Sequence, residues 1–92
     1  MAKKRLQIYY SGMVQGVGFR FMAERIANSL GVTGWVKNLR DGRVEAMCEG
    51  DEANLKKFAE NVKMSMHNYI SGEDASWLDP SGEFEDFQIR LY

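Results

Sequence analysis

The sequence has 92 residues, of which 45% are hydrophobic and 27% are charged. These values exclude a disordered chain, and no apolar run approaches the roughly 18 residues of a membrane-spanning helix. The net charge of −1 gives no general attraction to nucleic acid or to an anionic membrane, so any bound anion must be held by local geometry. We expect a single domain over residues 1–92, a monomer that binds neither membranes nor nucleic acid.

The N-terminus and the cysteine content both favour a cytoplasmic protein. The first residues, MAKKRLQIYYSG, are partly basic but contain no apolar signal-peptide core. Cys48 has no second cysteine in the chain with which to form a disulfide or share a metal ion. The sequence therefore predicts no metal site, and a fold that depends on packing alone.

The first element predicted along the chain is a strand over residues 5–10, followed by a helix. Apolar and polar residues alternate in the strand, which is the period of a half-buried strand. Residues 21–30 place apolar side chains four positions apart, and Gly31 stands where a helix ends. The apolar positions are Leu6, Ile8 and Tyr10 in the strand and Met22, Ile26 and Leu30 in the helix.

A hairpin is predicted next. Residues 32–38 form one strand, Asp41 and Gly42 suit a tight turn, and residues 43–50 form the returning strand. In the returning strand Val44, Ala46 and Cys48 share the apolar face, which makes Cys48 a buried hydrophobic residue. The alternating residues Glu45 and Glu49 are expected on a solvated face.

The second half predicts one more helix and a less distinct pair of strands. Asp51 can cap a helix that runs to about Met64, with Leu55, Phe58, Ala59 and Val62 on one side. A short strand is expected near residues 76–78 and a last strand within residues 84–92. The element order predicts an α+β fold, a ferredoxin-like βαββαβ sandwich with an antiparallel sheet and two helices on one face.

The glycine-containing loop between the first strand and the first helix is the main candidate for a binding site. Such a loop exposes backbone N–H groups beside the positive end of a helix, which suits a phosphate. Gly16 and Gly18 allow close approach of the backbone, and Arg20 can bind two phosphate oxygens at once. From these residues alone, the favoured interpretation is a simple turn followed by a solvated arginine, and Asn38 by itself reads as an ordinary turn residue.

Two longer motifs decide between these interpretations. GMVQGVGFR at residues 12–20 and GWVKNLRDGRVEAMCEG at residues 34–50 resemble, in order and spacing, the two signatures of the acylphosphatases. The resemblance implies the same ferredoxin-like fold and hydrolysis of small acyl phosphates without a metal or an organic cofactor. It also implies that Arg20 and the amides of the 14–20 loop bind the phosphate, and that Asn38 positions the attacking water. The implied phosphate-binding loop consists of Gln15, Gly16, Val17, Gly18, Phe19 and Arg20.

One region departs from this family pattern, and two other functions remain open. Residues 64–82 lack the family's glycine-proline turn and valine-rich strand, so the sequence does not fix where the fourth strand lies. A non-catalytic domain of the same fold would bind phosphate without turning over a substrate. An RNA-binding module would need stacking aromatic residues on a basic sheet, which the acidic balance and the Glu45 and Glu49 face disfavour.

Overall fold

A computed structural model of the chain describes residues 3–91 and contains a five-stranded sheet and two helices. The elements are β1 (Lys3–Gly12), α1 (Phe19–Leu30), β2 (Thr33–Asn38), β3 (Val44–Asp51), α2 (Glu52–Ser65), β4 (Ile70–Leu78) and β5 (Phe87–Arg90). The strand order is β4-β1-β3-β2-β5. The ferredoxin-like βαββαβ architecture is confirmed, and β5 extends its sheet.

The sheet is mixed, because one of its strand pairs differs from the antiparallel prediction. β1 pairs antiparallel with β3 and β4, and β2 pairs antiparallel with β3. β5 instead lies parallel to β2 at the sheet edge. β4 lies at the opposite edge of the sheet and ends where β1 and β2 begin. Residues 79–86 cross the sheet from there, so β5 starts beside the start of β2 and runs parallel to it.

The core lies between the helices and one face of the sheet. Leu6, Ile8 and Tyr10 of β1 are buried, as the alternation predicts, and the apolar sides of both helices cover that face. The rings of Phe58 and Phe87 meet with centroids 5.8 Å apart, joining α2 to β5. The buried core includes Leu6, Ile8, Tyr10, Ala23, Ala27, Val36, Val44, Ala46, Cys48, Leu55, Phe58, Val62 and Phe87.

β4 is the element that the sequence placed least well. The prediction of a short strand at residues 76–78 was wrong in length, because β4 extends over Ile70–Leu78. Most of its side chains are exposed, so no apolar alternation marks it in the sequence. The strand forms through its backbone pairing with β1, which depends on the tertiary fold.

The two glutamates of β3 also differ from the prediction of a solvated face. Glu45 is 8% exposed and Glu49 is 6% exposed. The Glu49 carboxylate accepts hydrogen bonds from the backbone N–H groups of Ser81 (2.8 Å) and Gly82 (2.9 Å) and from Nε of Arg5 (2.7 Å). Glu49 is thus buried by the segment that crosses the sheet, and its hydrogen bonds offset the cost of that burial.

The strand directions bring three chain segments to one edge of the sheet. β1 and β2 are both antiparallel to β3, so they run the same way, and β5 runs with them. Their carboxyl ends therefore lie at the same end of the sheet. The loop after β1, Asn38 at the end of β2 and the residues after β5 all lie at this end.

Candidate active site

The loop between β1 and α1 depends on two glycines with left-handed backbone conformations. Gly16 has a φ of 77° and Gly18 a φ of 78°, and Gly18 is the N-cap of α1. A Cβ built at either position would meet no atom within 4 Å. The need for glycine here is therefore conformational, since side chains rarely adopt this φ, and the backbone remains uncovered.

The start of α1 supplies free backbone donors beside this loop. The first hydrogen bond of the helix runs from the Met22 N–H to the Gly18 carbonyl, at 3.1 Å. The N–H groups of Phe19, Arg20 and Phe21 precede it and have no carbonyl one turn earlier in the helix. With the helix dipole, they make this end of α1 attractive to an anion.

A cavity of about 340 Å³ lies at the same place and brings the predicted residues together. Arg20, the second residue of α1, and Asn38, the last residue of β2, both border it and are both half-buried. Gly16, Gly18 and Phe19 also line the cavity, together with four apolar residues, Val14, Phe21, Ile89 and Leu91. Three separate segments of the chain thus contribute to one site.

Two residues of the predicted loop lie outside the cavity lining and have other contacts. Gln15 donates two hydrogen bonds from Nε2, to the Leu39 carbonyl at 2.7 Å and to the Arg43 carbonyl at 3.0 Å. These bonds attach the loop to the hairpin turn that follows Asn38. Val17 is partly buried and packs against the core.

The electrostatics of the cavity favour an anion. Among the described residues that line it, Arg20 alone carries a charge, and no carboxylate accompanies it. Beneath the loop the rings of Tyr10 and Phe19 pack with centroids 4.8 Å apart. Burial raises the pKa of Tyr10 well above its usual value, so this phenol stays neutral under the loop.

The apolar part of the lining was not identified from the sequence. Ile89 and Leu91 reach the cavity from the end of the sheet, and Phe21 reaches it from α1. The alternation of Phe87, Ile89 and Leu91 in the last strand was a signal for a shared face. That pattern does not reveal which other element the face meets.

Residues 3–91 contain neither a cluster of metal-ligating side chains nor a helix that could span a membrane. No three histidine, cysteine, aspartate or glutamate side chains in this range are grouped so that they could hold a metal ion. None of the helices described there has the length and apolar character needed to cross a membrane. Cys48 is buried, and burial raises the pKa of its thiol.

Comparison with known proteins identifies the family. The family model described as Acylphosphatase matches residues 6–89. The chain belongs to the acylphosphatase family. It is 42% identical over 90 residues to an acylphosphatase of Thermotoga maritima, covering 97% of this chain and 99% of the relative. An acylphosphatase of Roseiflexus sp. is 40% identical over 90 residues, covering 97% of each chain.

A solved acylphosphatase has the same fold. The crystal structure of acylphosphatase from Bacillus subtilis superimposes with a TM-score of 0.87 at 33% identity, covering 96% of this chain and 99% of that one. These matches confirm the predicted family and enzyme class. Membership of the acylphosphatases supports hydrolysis of acyl phosphates as the activity.

Proposed function

We propose that the chain hydrolyses the carboxyl–phosphate bond of small acyl phosphates, with the phosphate held by Arg20 and the amides of the 14–20 loop. Asn38 positions the attacking water. The observation that carries the proposal is that Arg20, Asn38 and the glycine loop line one cavity, although they belong to different elements. A cavity with a single cation and free helix amides is suited to a dianionic group.

The proposed reaction requires few catalytic side chains. The leaving group is a carboxylate whose conjugate acid has a pKa of about 4, so it departs without protonation. Phosphoryl transfer of this kind depends mainly on alignment and on charge stabilisation at the phosphate oxygens. Backbone N–H groups and the Arg20 guanidinium supply both.

Asn38 is proposed to hold the water because its amide is uncharged. An amide can donate and accept hydrogen bonds without bringing a negative charge near the substrate. The water oxygen forms the new bond to phosphorus as the bond to the carboxylate breaks. A non-bridging phosphate oxygen takes the proton from the water, which gives one carboxylate and one phosphate.

The test is benzoyl phosphate hydrolysis by the purified chain in excess chelator, followed by ultraviolet absorbance. We expect Arg20→Ala to raise KM and lower kcat together, and Asn38→Ala mainly to lower kcat, by about 10²-fold or more. Arg25→Ala and Asn28→Ala are the matched controls for the arginine and asparagine variants, because both residues are exposed on α1 and lie outside this cavity. Circular dichroism checks that each variant is folded.

Two outcomes would contradict parts of this proposal. A folded wild-type chain without turnover would leave a phosphate-binding domain that is not an enzyme. An Asn38→Ala variant with near wild-type kcat would remove the water-positioning role and leave the rest intact.

The proposal also includes the setting in which the enzyme works. It acts on a small-molecule substrate as a cytoplasmic monomer, without a nucleic acid partner and without a metal or organic cofactor. The net charge of −1 gives no general attraction to nucleic acid, and the lone Cys48 fits a reducing compartment. Sedimentation velocity at several concentrations tests the monomer directly.

A further inference from the structure

Two large apolar side chains at the cavity are left mostly in water. Phe21 is 74% exposed and Leu91 is 78% exposed, and both border the cavity that contains Arg20 and Asn38. Single exposed apolar residues are common on protein surfaces. Two from separate segments of the chain that border one cavity form a surface that a ligand can cover.

The apolar side chains are held close to the polar ones by the fold. Phe21 follows Arg20 directly in α1, so the helix fixes its position relative to the guanidinium. Ile89 pairs with Val36 across the β2–β5 ladder, two residues before Asn38, and packs against the core. The ladder thus places the end of β5 beside the end of β2, with Ile89 as the anchored part of the apolar lining.

The chemistry of an acyl phosphate fits this arrangement, given the proposed function. Its acyl carbon is joined to the phosphate through one oxygen, so an acyl group must occupy the space next to the bound phosphate. Apart from Arg20, no described residue of the lining is charged. A charged acyl group would therefore be desolvated without a partner, whereas an apolar group would cover Phe21 and Leu91.

We propose that Phe21, Ile89 and Leu91 form an acyl-binding subsite that selects uncharged, apolar acyl groups larger than acetyl. This inference rests on the proposed function and adds the substrate class. The cavity volume of about 340 Å³ lies at the lower end of the range for small-molecule sites, which suits a phosphate carrying one ring or a short branched chain.

The kinetic test compares kcat/KM for acetyl, butyryl and benzoyl phosphate. In Phe21→Ala and in Leu91→Ala, we expect kcat/KM for benzoyl phosphate to fall about tenfold and that for acetyl phosphate to fall much less. Comparing each variant with wild type on the same substrate cancels the intrinsic reactivities of the acyl phosphates. Met64→Ala is the matched control, since Met64 is 67% exposed and lies outside the cavity lining.

A binding test separates the subsite from turnover. Phenacylphosphonate and acetonylphosphonate carry a methylene in place of the bridging oxygen and cannot be hydrolysed as acyl phosphates. In calorimetry, we expect wild type to bind phenacylphosphonate about tenfold more tightly than acetonylphosphonate. Phe21→Ala and Leu91→Ala should each lose most of that preference. Because Leu91 lies beyond β5, Leu91→Ala tests the subsite even if Phe21→Ala disturbs the start of α1.

The outcomes of the two tests are distinguishable. Equal affinity of wild type for the two phosphonates, or an unchanged preference in both variants, overturns the subsite. Hydrolysis with unaltered substrate ratios in both variants also overturns it while leaving the proposed function standing. Selective binding without hydrolysis overturns the proposed function and supports the subsite.

Discussion

Gly18 caps the start of α1 in a left-handed backbone conformation. Replacing it tests the energetic cost of that conformation without a steric clash of the new side chain. A Cβ at Gly18 would find open space, so the penalty of Gly18→Ala comes from its φ of 78°. We expect a loss of about 1–2 kcal/mol in the free energy of unfolding, measured by urea denaturation. A variant as stable as wild type would contradict the left-handed backbone at this position.

Gly72→Ala provides the control for this measurement. Gly72 lies in β4 without a left-handed φ, and a Cβ there would meet Ser11 Cβ at 3.6 Å, an ordinary contact. We expect it to change stability by no more than about 0.5 kcal/mol, as for most surface substitutions.

At the scale of single residues, the sequence predicted the polar lining of the cavity but not its apolar lining. Arg20 and Asn38 stand in long motifs that resemble the acylphosphatase signatures, and that resemblance implied their proposed roles. Phe21 and Leu91 carry no such signal, because an exposed apolar residue means little until its neighbours are known. Their relation to the polar residues follows from the tertiary fold.

At the scale of elements, the loop and the hairpin are joined by one side chain. We expect Gln15→Ala to lower kcat/KM for benzoyl phosphate about tenfold, because the loop and Asn38 would lose the bonds that fix their separation. Loss of these hydrogen bonds should also reduce stability by about 1–2 kcal/mol. Activity and urea denaturation are measured on the same preparation.

Ser29→Ala is the matched variant for this prediction. Ser29 donates a hydrogen bond from Oγ to the Ile26 carbonyl at 2.7 Å, near the other end of α1. Loss of this hydrogen bond in Ser29→Ala should lower the free energy of unfolding and leave kcat/KM for benzoyl phosphate unchanged. If both variants kept full activity, Gln15 would have only a structural role.

The order of the elements was predictable, whereas the way in which they assemble the site was not. Local patterns of polarity marked α1, α2 and the hairpin, and the Asp41-Gly42 turn lies where the sequence placed it. The meeting of the β1 loop, Asn38 and Leu91 depends on strand direction and order, which arise from long-range pairing. β4 was underestimated for the same reason.

At the scale of the whole molecule, the segment over residues 79–86 is held to the outer face of the sheet by a partly buried ionic cluster around Glu49. Glu49 accepts hydrogen bonds from Ser81, Gly82 and Arg5, and Arg5 also bonds to Glu83. Burial alone would raise the pKa of Glu49, but these bonds outweigh it and lower the pKa from 4.5 to about 2. The folded state therefore holds this carboxylate ionised.

This cluster predicts an acid-sensitive part of the stability. Because the pKa is lower in the folded state, the Glu49 contribution is fully present above about pH 4.5 and is lost as the pH falls toward 2. We expect the urea midpoint of wild type to exceed that of Glu49→Gln at pH 6, and the difference to shrink between pH 4.5 and pH 2. Urea titrations across this range measure both effects.

Glu60→Gln is the control, because Glu60 is exposed on α2. It should leave the urea midpoint close to that of wild type at pH 6. A difference between wild type and Glu49→Gln that stayed constant from pH 6 to pH 2 would contradict the assignment to Glu49 ionisation.

Binding of an anion in the cavity also affects the thermal stability of the enzyme. Its lining comes from the β1–α1 loop, the start of α1, the end of β2 and the end of β5, and these parts separate when the chain unfolds. An anion bound there would connect these parts non-covalently and stabilise the folded state for as long as it stays bound. At a hundred times its dissociation constant, such an anion adds about 2.7 kcal/mol to the free energy of unfolding. Under the proposed function, the released phosphate would protect the enzyme from heat while competing with its substrate.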